Sequence, residues 1–297
     1  MPELPDLELY RHALRERAVG LELRGLRIPG PFLLRTVDPA PDELVGRRIE
    51  DVERLGKRLV FVFEGARFAV LHLMIAGRLR WSAPDAALPA RLGQAAFDLE
   101  GATLIVTEAG TKRRASLHLV RGRADLSEHD RGGLEPLDCD LAAFAERLTS
   151  ENHTLKRALT DPRLFSGIGN AYSDEILHAA QLSPLVWTTR LDTDQVARLH
   201  AAVRATLAGW SERLTAEAGG RWPTKVTAFR EGMAVHGRFR EPCPVCGTAV
   251  QRIVWSENEC NYCPRCQTGG RLLADRALSR LLKQDWPRTI EELDRNR

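Results

Sequence analysis

Near its C-terminus the chain carries two Cys-x2-Cys knuckles, Cys243 with Cys246 and Cys263 with Cys266, separated by 16 residues. This spacing is typical of a tetrahedral zinc site with four thiolate ligands. Because protein sulfur atoms fill all four positions of the ion, no water is left for it to activate, and the zinc is expected to be structural. We therefore predict a short segment that folds together with one Zn²⁺ ion.

The other two cysteines are expected to stay outside this site. Cys260 is a competing ligand, because it forms a further Cys-x2-Cys pair with Cys263. If Cys260 and Cys263 formed the second knuckle, the spacer between the knuckles would fall below the typical length and Cys266 would be left without a metal. We therefore exclude Cys260 as a ligand. Cys139 stands alone in the sequence. Cysteines clustered this unevenly indicate metal binding in a reducing compartment rather than disulfides.

The remainder of the chain is rich enough in apolar residues for more than one core. Of 297 residues, 43% are hydrophobic and 28% charged, which excludes disorder as the main state and favours two domains. No run of 18 or more apolar residues occurs and the N-terminus lacks the order of a signal peptide, so we expect a cytoplasmic protein. The net charge of +3 is too small to indicate a polyanionic partner by itself.

The hydrophobic pattern changes along the chain and predicts an α+β protein. An amphipathic helix comes first, with Asp6 as a plausible N-cap and Gly20 as its stop. Short apolar runs between about residues 21 and 126 favour a β-sandwich or a barrel. A polar stretch, 127–140, marks a domain boundary, and helical patterns follow it. The cysteine-rich module comes after them, and a helical tail closes the chain.

The N-terminus itself is a candidate nucleophile. The initiator methionine is normally removed before a small residue, which would leave Pro2 with a free secondary amine. An α-amino group titrates near about 8, well below lysine, so a useful fraction is neutral at pH 7. Its condensation with an aldehyde gives an iminium ion, which is suited to eliminating a β-substituent. The alternative is that Pro2 merely begins the chain and that Glu3 is a solvated carboxylate.

Two further features are candidate phosphate-binding positions. The turn 166–170 (SGIGN) precedes a helix, and its glycines and Asn170 could bring N–H donors to an anion at the helix N-terminus. A tight turn without a ligand is the more common role of such a pattern. Lys57 and the basic run 112–114 lie at predicted strand ends, where basic residues are usually solvated. Together they could line one side of a phosphate-binding groove.

Taken in order, these motifs resemble the formamidopyrimidine-DNA glycosylase and endonuclease VIII family. The resemblance rests on PELP at the N-terminus, a Gly-Lys pair before a strand, GIGNAYSDE, and the two cysteine knuckles with CPRCQ. It covers nearly the whole chain, and the motifs are far more specific jointly than singly.

The resemblance implies an N-terminal β-sandwich with a leading helix, then a helix–two-turn–helix bundle with a C-terminal four-cysteine zinc hairpin. It implies a catalytic sandwich domain at 1–130, the DNA-binding bundle at 131–235, the hairpin at 236–272 and a helical tail at 273–297. The expected partner is damaged double-stranded DNA with the damaged nucleotide flipped out. We expect a monomer that is nucleoid-associated when bound to DNA, with no small-molecule cofactor.

The resemblance also implies roles for single residues. Pro2 matches the Schiff-base nucleophile at C1′, Glu3 matches the acid that assists opening of the sugar ring, and Lys57 matches the lysine that contacts phosphate and supports elimination. The implied DNA-binding positions are His72, Ile75, Arg113, Lys156, Asn170 and Asn258.

Three positions depart from the family pattern. Ile75 stands where a methionine usually fills the void left by the flipped base. Arg113 is only a loose match to the loop that wedges the opposite strand. Asn258 replaces an arginine five residues before the third zinc cysteine, and a neutral amide cannot offer that charge. These departures leave a rival hypothesis, a damaged-DNA binding protein without turnover. We also predict that the span 219–238 is several residues too short to cover a flipped 8-oxoguanine.

Overall fold

The computed structural model describes residues 1–110, 112–227, 229–255, 258–274, 276–283 and 286–295. The chain forms two compact units. The first contains Met1–Arg131 and Trp210–Ala228, and the second contains Gly132–Gly209 and Phe229–Arg297. Over the described part of the chain, no helix combines the length and apolar character needed to cross a membrane.

The first unit begins with a helix and continues as β-strands. The helix is α1 (Leu4–Ala18). The strands are β1 (Leu23–Arg27), β2 (Ile49–Leu55), β3 (Arg58–Phe63), β4 (Arg67–His72), β5 (Gly77–Ser82), β6 (Gly93–Leu99), β7 (Ala102–Glu108) and β8 (Ser116–Arg121).

Helix α1 begins three residues earlier than the N-cap predicted at Asp6. Glu3 is the N-cap, and its carboxylate accepts the backbone N–H of Asp6, while the Asp6 carboxylate accepts the N–H of Glu3 at 3.0 Å. This reciprocal pair is a capping box, which satisfies two backbone donors at the helix start. Pro5 lies in the first turn, where its missing N–H costs nothing. The sequence therefore fixes Pro2 and Glu3 at a rigid helix entry.

The strands form two antiparallel four-stranded sheets, in the orders β1-β6-β7-β5 and β2-β3-β4-β8. Side chains alternate across each strand, so one face of each sheet contributes to a shared core. Phe61 and Phe97 stack in that core with ring centroids 5.4 Å apart, and α1 adds Leu7 and Leu14 to it. The predicted sandwich is confirmed.

The second sheet also buries apolar residues on its outer face. Val60 and Val70 form a small cluster there, and Leu126 packs against it from the segment after β8. This cluster includes Val62, Phe68 and Val120.

The segment 210–228 completes the first unit from a distant part of the sequence. Trp222 lies against Tyr10 and Trp81, with ring centroids 5.9 and 5.7 Å apart, and its indole N–H donates to the carbonyl of Leu79 at 3.2 Å. Val226 joins the same core. The predicted division into domains does not contain this return of the chain, and its four ranges stay predictions.

The second unit is helical and ends in a hairpin. Its elements are α2 (Leu141–Thr149), α3 (Leu155–Thr160), α4 (Asn170–Ala179), α5 (Thr193–Ala218), β9 (Gln251–Trp255), β10 (Asn258–Tyr262), α6 (Pro264–Thr268), α7 (Arg276–Leu282) and α8 (Ile290–Arg295), of which α5 runs into the first unit. Strands β9 and β10 pair antiparallel between the two cysteine knuckles. The predicted α+β fold, with sandwich, helical region and clustered cysteines in that order, is confirmed.

Candidate active site and metal centre

The N-terminal amine lies among charged groups of the first unit. Pro2 is buried and Glu3 is only 3% exposed. Burial lowers the pKa of the Met1 amine below its ordinary value, and the positive charges of Arg78 and Lys57 add to this effect against Glu3 and Asp6. A lowered pKa increases the neutral, nucleophilic fraction of an amine at pH 7. Once Met1 is removed, the amine of Pro2 is the one that begins the chain.

Lys57 lies at the tip of the hairpin that joins β2 to β3. The two strands pair up to Leu55 and Arg58, which leaves Gly56 and Lys57 as a two-residue turn. Gly56 has φ +60°, a conformation that glycine adopts without steric cost. The local sequence thus places Lys57 in the turn at the strand ends, as predicted.

The loop after β4 presents His72 and Ile75. It closes as a single tight turn, in which the N–H of Gly77 donates to the carbonyl of Leu73 at 2.9 Å. A Cβ at Gly77 would lie 2.2 Å from that carbonyl oxygen, so only glycine fits. Ile75 at the turn is 61% exposed. An apolar side chain held out in this way can act as a wedge, so the predicted role of Ile75 stays a prediction with suitable geometry.

His72 is held neutral by its surroundings. Its Nδ1 accepts the backbone N–H of Met74 at 3.0 Å, which leaves the proton on Nε2. Burial, together with the charges of Arg58 and Lys57, lowers the pKa of His72 to about 4. At neutral pH this side chain therefore offers one N–H donor without a charge.

Arg113 lies exposed on the loop between β7 and β8, of which Thr111 is outside the described residues. The buried carboxylate of Glu108 accepts the backbone N–H groups of Arg114 and Ala115 at 2.8 and 3.2 Å, which shapes the loop. The Arg113 guanidinium donates to the carbonyl of Arg91 at 3.0 Å. Its predicted part in DNA binding stays a prediction.

In the second unit, Lys156 belongs to a buried charge network. Its ammonium donates to the carboxylate of Asp174 at 2.5 Å and to the carbonyl of Asn170 at 2.6 Å. His236 Nδ1 lies 2.8 Å from the other carboxylate oxygen of Asp174. Burial opposes ionisation, but Lys156 and His236 outweigh it and lower the pKa of Asp174. Lys156, only 5% exposed, thus positions the start of α4, and its predicted phosphate contact stays a prediction.

Helix α4 also holds the hairpin and the segment before it. The side-chain amide of Asn170 donates to the carbonyl of Glu259 at 2.8 Å, and the N–H of Asn261 donates to Asp174 at 3.1 Å. Glu175 accepts three successive backbone N–H groups, those of residues 234–236, at 2.6 to 2.9 Å. Burial raises the pKa of Glu175 despite these donors. The GIGNAYSDE motif, predicted as a candidate phosphate-binding turn, therefore holds the hairpin and the segment 234–236 against α4.

Asn258 is exposed at the first position of β10, directly opposite Trp255. Its side chain carries no charge, so this tip of the hairpin offers no cation at that position. Whether Asn258 contacts DNA stays a prediction.

A pocket of about 610 Å³ lies in the segment ahead of the first knuckle. Phe229, which is 69% exposed, stacks against His236 with ring centroids 5.4 Å apart. Met233 and Gly237 also line this pocket. Over its described residues, the span 219–238 contains neither helix nor strand.

The four predicted cysteines come together as a metal centre. The sulfur atoms of Cys243, Cys246, Cys263 and Cys266 all lie within 4.8 Å of one another, with 3.9 Å between Cys243 and Cys266 and 3.4 Å between Cys246 and Cys263. Tetrahedral bonds of about 2.3 Å to zinc place sulfur atoms about 3.8 Å apart. The donor set therefore fits one tetrahedral ion. Cys260 lies outside the cluster, as predicted.

Sequence reasoning missed one contact to this centre. His178, on α4, places Nε2 3.2 Å from Cys243 Sγ. Groups that hydrogen-bond a metal ligand orient it and tune the metal. The same helix therefore carries Asn170 at one end and a metal-ligand contact at the other.

Asp174 and His236 were missed as well. Asp174 stands within the quoted GIGNAYSDE motif, so a carboxylate in the second turn of the helix was visible in the sequence. Its partners lie 18 and 62 residues away, at Lys156 and His236, and no local pattern connects them.

Three protein-family models match the chain in order. They are the formamidopyrimidine-DNA glycosylase N-terminal domain over residues 1–115, the formamidopyrimidine-DNA glycosylase H2TH domain over 133–213, and the zinc finger found in FPG and IleRS over 240–269. Together they account for the sandwich, the helical region and the cysteine hairpin.

Curated relatives and solved structures agree with these matches. The chain is 36% identical to the formamidopyrimidine-DNA glycosylase of Thermus thermophilus over 279 residues, which covers 91% of this chain and 100% of that protein. It is 34% identical to that of Chloroflexus aurantiacus over 281 residues, covering 90% and 98%. The fold resembles the Lactococcus lactis FPG (MutM) in complex with a FAPY-dG containing DNA, at a TM-score of 0.79, 24% identity and coverage of 90% and 100%.

Proposed function

The chain belongs to the formamidopyrimidine-DNA glycosylase family, and from that premise we propose that it excises oxidised bases and then nicks the abasic site by β-elimination through a Schiff base on Pro2. Its relatives are DNA-formamidopyrimidine glycosylases, and the enzyme class follows from membership. Beyond the enzyme class, we propose Pro2 as the nucleophile, Glu3 as the acid, and oxidised bases as the lesions. It also takes the ion of the four-cysteine centre to be one structural Zn²⁺.

The proposed chemistry uses one covalent intermediate. The neutral Pro2 nitrogen bonds to C1′ while the C1′–base bond breaks, and the base leaves with that electron pair and takes up the proton that the nitrogen loses. The C1′–O4′ bond then breaks as Glu3 gives a proton to the ring oxygen, and the lone pair of the nitrogen forms the C1′=N bond of the iminium. The resulting iminium acidifies the C2′ hydrogen. Loss of that proton forms a C2′–C3′ double bond and expels the 3′ phosphate with the electron pair of the C3′–O bond. Water then hydrolyses the iminium and frees Pro2.

The observation that carries the proposal is the environment of the N-terminal amine. Pro2 is buried next to Glu3 at the helix entry, and the pKa of the Met1 amine beside it is lowered by partial burial and by the charges of Arg78 and Lys57. Such surroundings suit a nucleophilic amine that must be neutral at pH 7. A chain end without a function would gain nothing from burial beside two cations.

Borohydride reduction tests the proposal directly. An enzyme that forms the iminium is trapped covalently on a duplex with an abasic site, and the product is detected as a shifted protein band. A protein that binds the same duplex tightly but gives no adduct would support the rival function, a damaged-DNA binding protein. The uncharged Asn258 at the hairpin tip is the observation that favours that rival.

Substitution of Glu3 by glutamine is expected to slow base excision by about 10²- to 10⁴-fold, the usual contribution of a general acid. Glutamine keeps an acceptor for the helix cap, so α1 should stay in place, but it supplies no acidic proton. Single-turnover excision on a formamidopyrimidine duplex measures the change.

Glu8→Gln provides the matched control, because Glu8 lies on the same helix and pairs with Arg11 and Arg54 instead. Its excision rate should stay near that of the unchanged protein. Equal losses in both variants would show that damage to α1, not loss of the acid, slows the reaction.

The lesion preference is expected to favour bases that extrude easily. Formamidopyrimidines, oxidised pyrimidines and pre-formed abasic sites should be processed faster than 8-oxoguanine paired with cytosine. The reason is the short span 219–238, since discrimination of 8-oxoguanine from guanine depends on polar contacts to the flipped base. Ring-opened and ring-saturated bases stack poorly and depend less on such contacts.

Single-turnover rates on matched duplexes decide this order. A rate on 8-oxoguanine equal to the others would show that another part of the chain reads the base. The pocket beside Phe229 and His236 would then be the first place to substitute.

A further inference from the structure

The outer face of the sheet β2-β3-β4-β8 ends in a group of nitrogen-rich side chains. Val60 pairs with Val70, and Val70 pairs with His118, so these three residues share that face with the apolar cluster. Arg58 begins β3 and His72 ends β4, each two residues along its strand from Val60 or Val70, so strand alternation places both on the same face. His129, from the segment after β8, packs against His118 with ring centroids 4.6 Å apart. We call Arg58, His72, His118 and His129 the Arg58 cluster.

The guanidinium of Arg58 is partly buried. Over the described part of the chain, it has no hydrogen-bond acceptor and no ion-pair partner. Burial lowers the pKa of Arg58, and Arg131 lowers it further, while Asp130 acts in the opposite direction. A partly desolvated cation without a paired anion costs free energy. Its presence in this fold therefore suggests that a bound anion pairs with it.

The imidazoles around Arg58 complement it as donors. Burial, together with His129 and Arg58, lowers the pKa of His118 to about 4. His72 is neutral for the same reasons and has its proton on Nε2. Neutral imidazoles beside a guanidinium supply N–H groups without repelling it. This combination suits a monoanion with several acceptor oxygens, such as a phosphodiester.

We propose that the Arg58 cluster binds one further phosphate of the DNA backbone, next to the phosphate position predicted for Lys57. The inference rests on the proposed function, which supplies DNA as the partner. DNA is favoured over a free phosphate because Arg58 follows Lys57 directly in the chain, and His72, a member of the cluster, is itself a predicted DNA-binding position.

The salt dependence of binding measures the number of phosphates that the protein neutralises. The logarithm of the binding constant falls with the logarithm of salt concentration by about 0.9 per contacted phosphate of a duplex. For a duplex with a tetrahydrofuran abasic analogue, Arg58→Gln should therefore weaken binding and make the slope shallower by about one.

Arg123→Gln is the matched control, because it removes the same charge from the same sheet face. Arg123 lies over Phe68 and pairs with Glu53 at 2.8 Å, outside the cluster. It should leave the slope unchanged. A slope in Arg58→Gln equal to that of the unchanged protein would overturn the proposal, and so would an equal change in both variants. His118→Gln tests the same site should Arg58→Gln fail to fold.

Methylphosphonate linkages, placed one at a time along each strand, locate the contact. Some methylphosphonate linkages should weaken binding of the unchanged protein but not of Lys57→Gln, and these mark the Lys57 contacts. One additional linkage should weaken binding of the unchanged protein and have no effect on binding of Arg58→Gln. Equal penalties in both proteins would overturn the assignment to DNA. Arg58-dependent binding of inorganic phosphate with no such linkage would overturn it in favour of a free anion. Failure of the unchanged protein to bind the abasic duplex at all would instead refute the proposed function.

Discussion

Retention of Met1 is expected to abolish borohydride trapping on abasic DNA, and Pro2→Gly is expected to reduce it at least about tenfold, equivalent to about 1.4 kcal/mol in the barrier. A retained methionine acylates the Pro2 nitrogen, which then has no lone pair to give to C1′. Glycine leaves a primary amine, whose imine must be protonated before it can act as an electron sink, whereas the proline iminium carries its charge permanently. Affinity for the abasic duplex should change little, since it comes from phosphate contacts elsewhere.

Pro5→Gly is a control that alters a neighbouring proline in the first turn of α1 without touching the amine. It should trap at nearly the normal rate, with any loss of stability visible in thermal unfolding. Parallel losses of affinity and trapping in Pro2→Gly would contradict a nucleophilic role and indicate that Pro2 serves only to place the helix.

Removal of the metal, by chelation or by Cys263→Ser, is expected to abolish tight DNA binding while the β-sandwich stays folded. Structural zinc sites of this type contribute about 10–16 kcal/mol of apparent binding free energy. Among the described residues, the apolar cluster around the knuckles contains only Val235 and Val250 besides the four cysteines. Without the ion, the hairpin should also lose its bonds from Asn170 and to Asp174. Duplex affinity and metal content, measured on the same preparation, test this.

Cys139→Ser is the control, because Cys139 is buried in the second unit but lies outside the four-cysteine cluster. It should retain both metal and affinity. Undiminished duplex binding by a protein verified to be free of metal would show that the hairpin has no part in recognition. Loss of the sandwich's thermal transition would show that the effect is not local.

The elements predicted well from the sequence are those fixed by local patterns. The four metal-binding cysteines follow from spacing alone, because four ligands in two knuckles can satisfy one ion without help from distant residues. The β-sandwich follows from short apolar runs, although a barrel was equally compatible until the order of the strands was known. The start of α1 was misplaced at Asp6 because Glu3 and Asp6 cap each other, and either residue type is found at such a position.

The elements that escaped prediction depend on distant partners. The phosphate role of Lys156 stays a prediction, but its contacts to Asp174 and to the carbonyl of Asn170 were not predicted. The bond between His178 and Cys243 joins a helix to a knuckle 65 residues away. The position of Arg58 on the same face as His118 could not be predicted either, because only the strand register shows it.

The return of residues 210–228 to the first unit bears on how the chain acquires its structure during synthesis. The ribosome releases the N-terminus first. Tyr10 and Trp81 therefore cannot pack against Trp222, nor the core against Val226, until those later residues have been made. At about 5–20 residues per second, the stretch from 131 to 226 takes about 5–20 s to be made. For that interval the nascent sandwich exposes an aromatic surface while the helical unit is still emerging. A fragment cut near residue 131 would keep that surface exposed permanently, so the first unit cannot be isolated by truncation and must be rebuilt by joining the two separated segments.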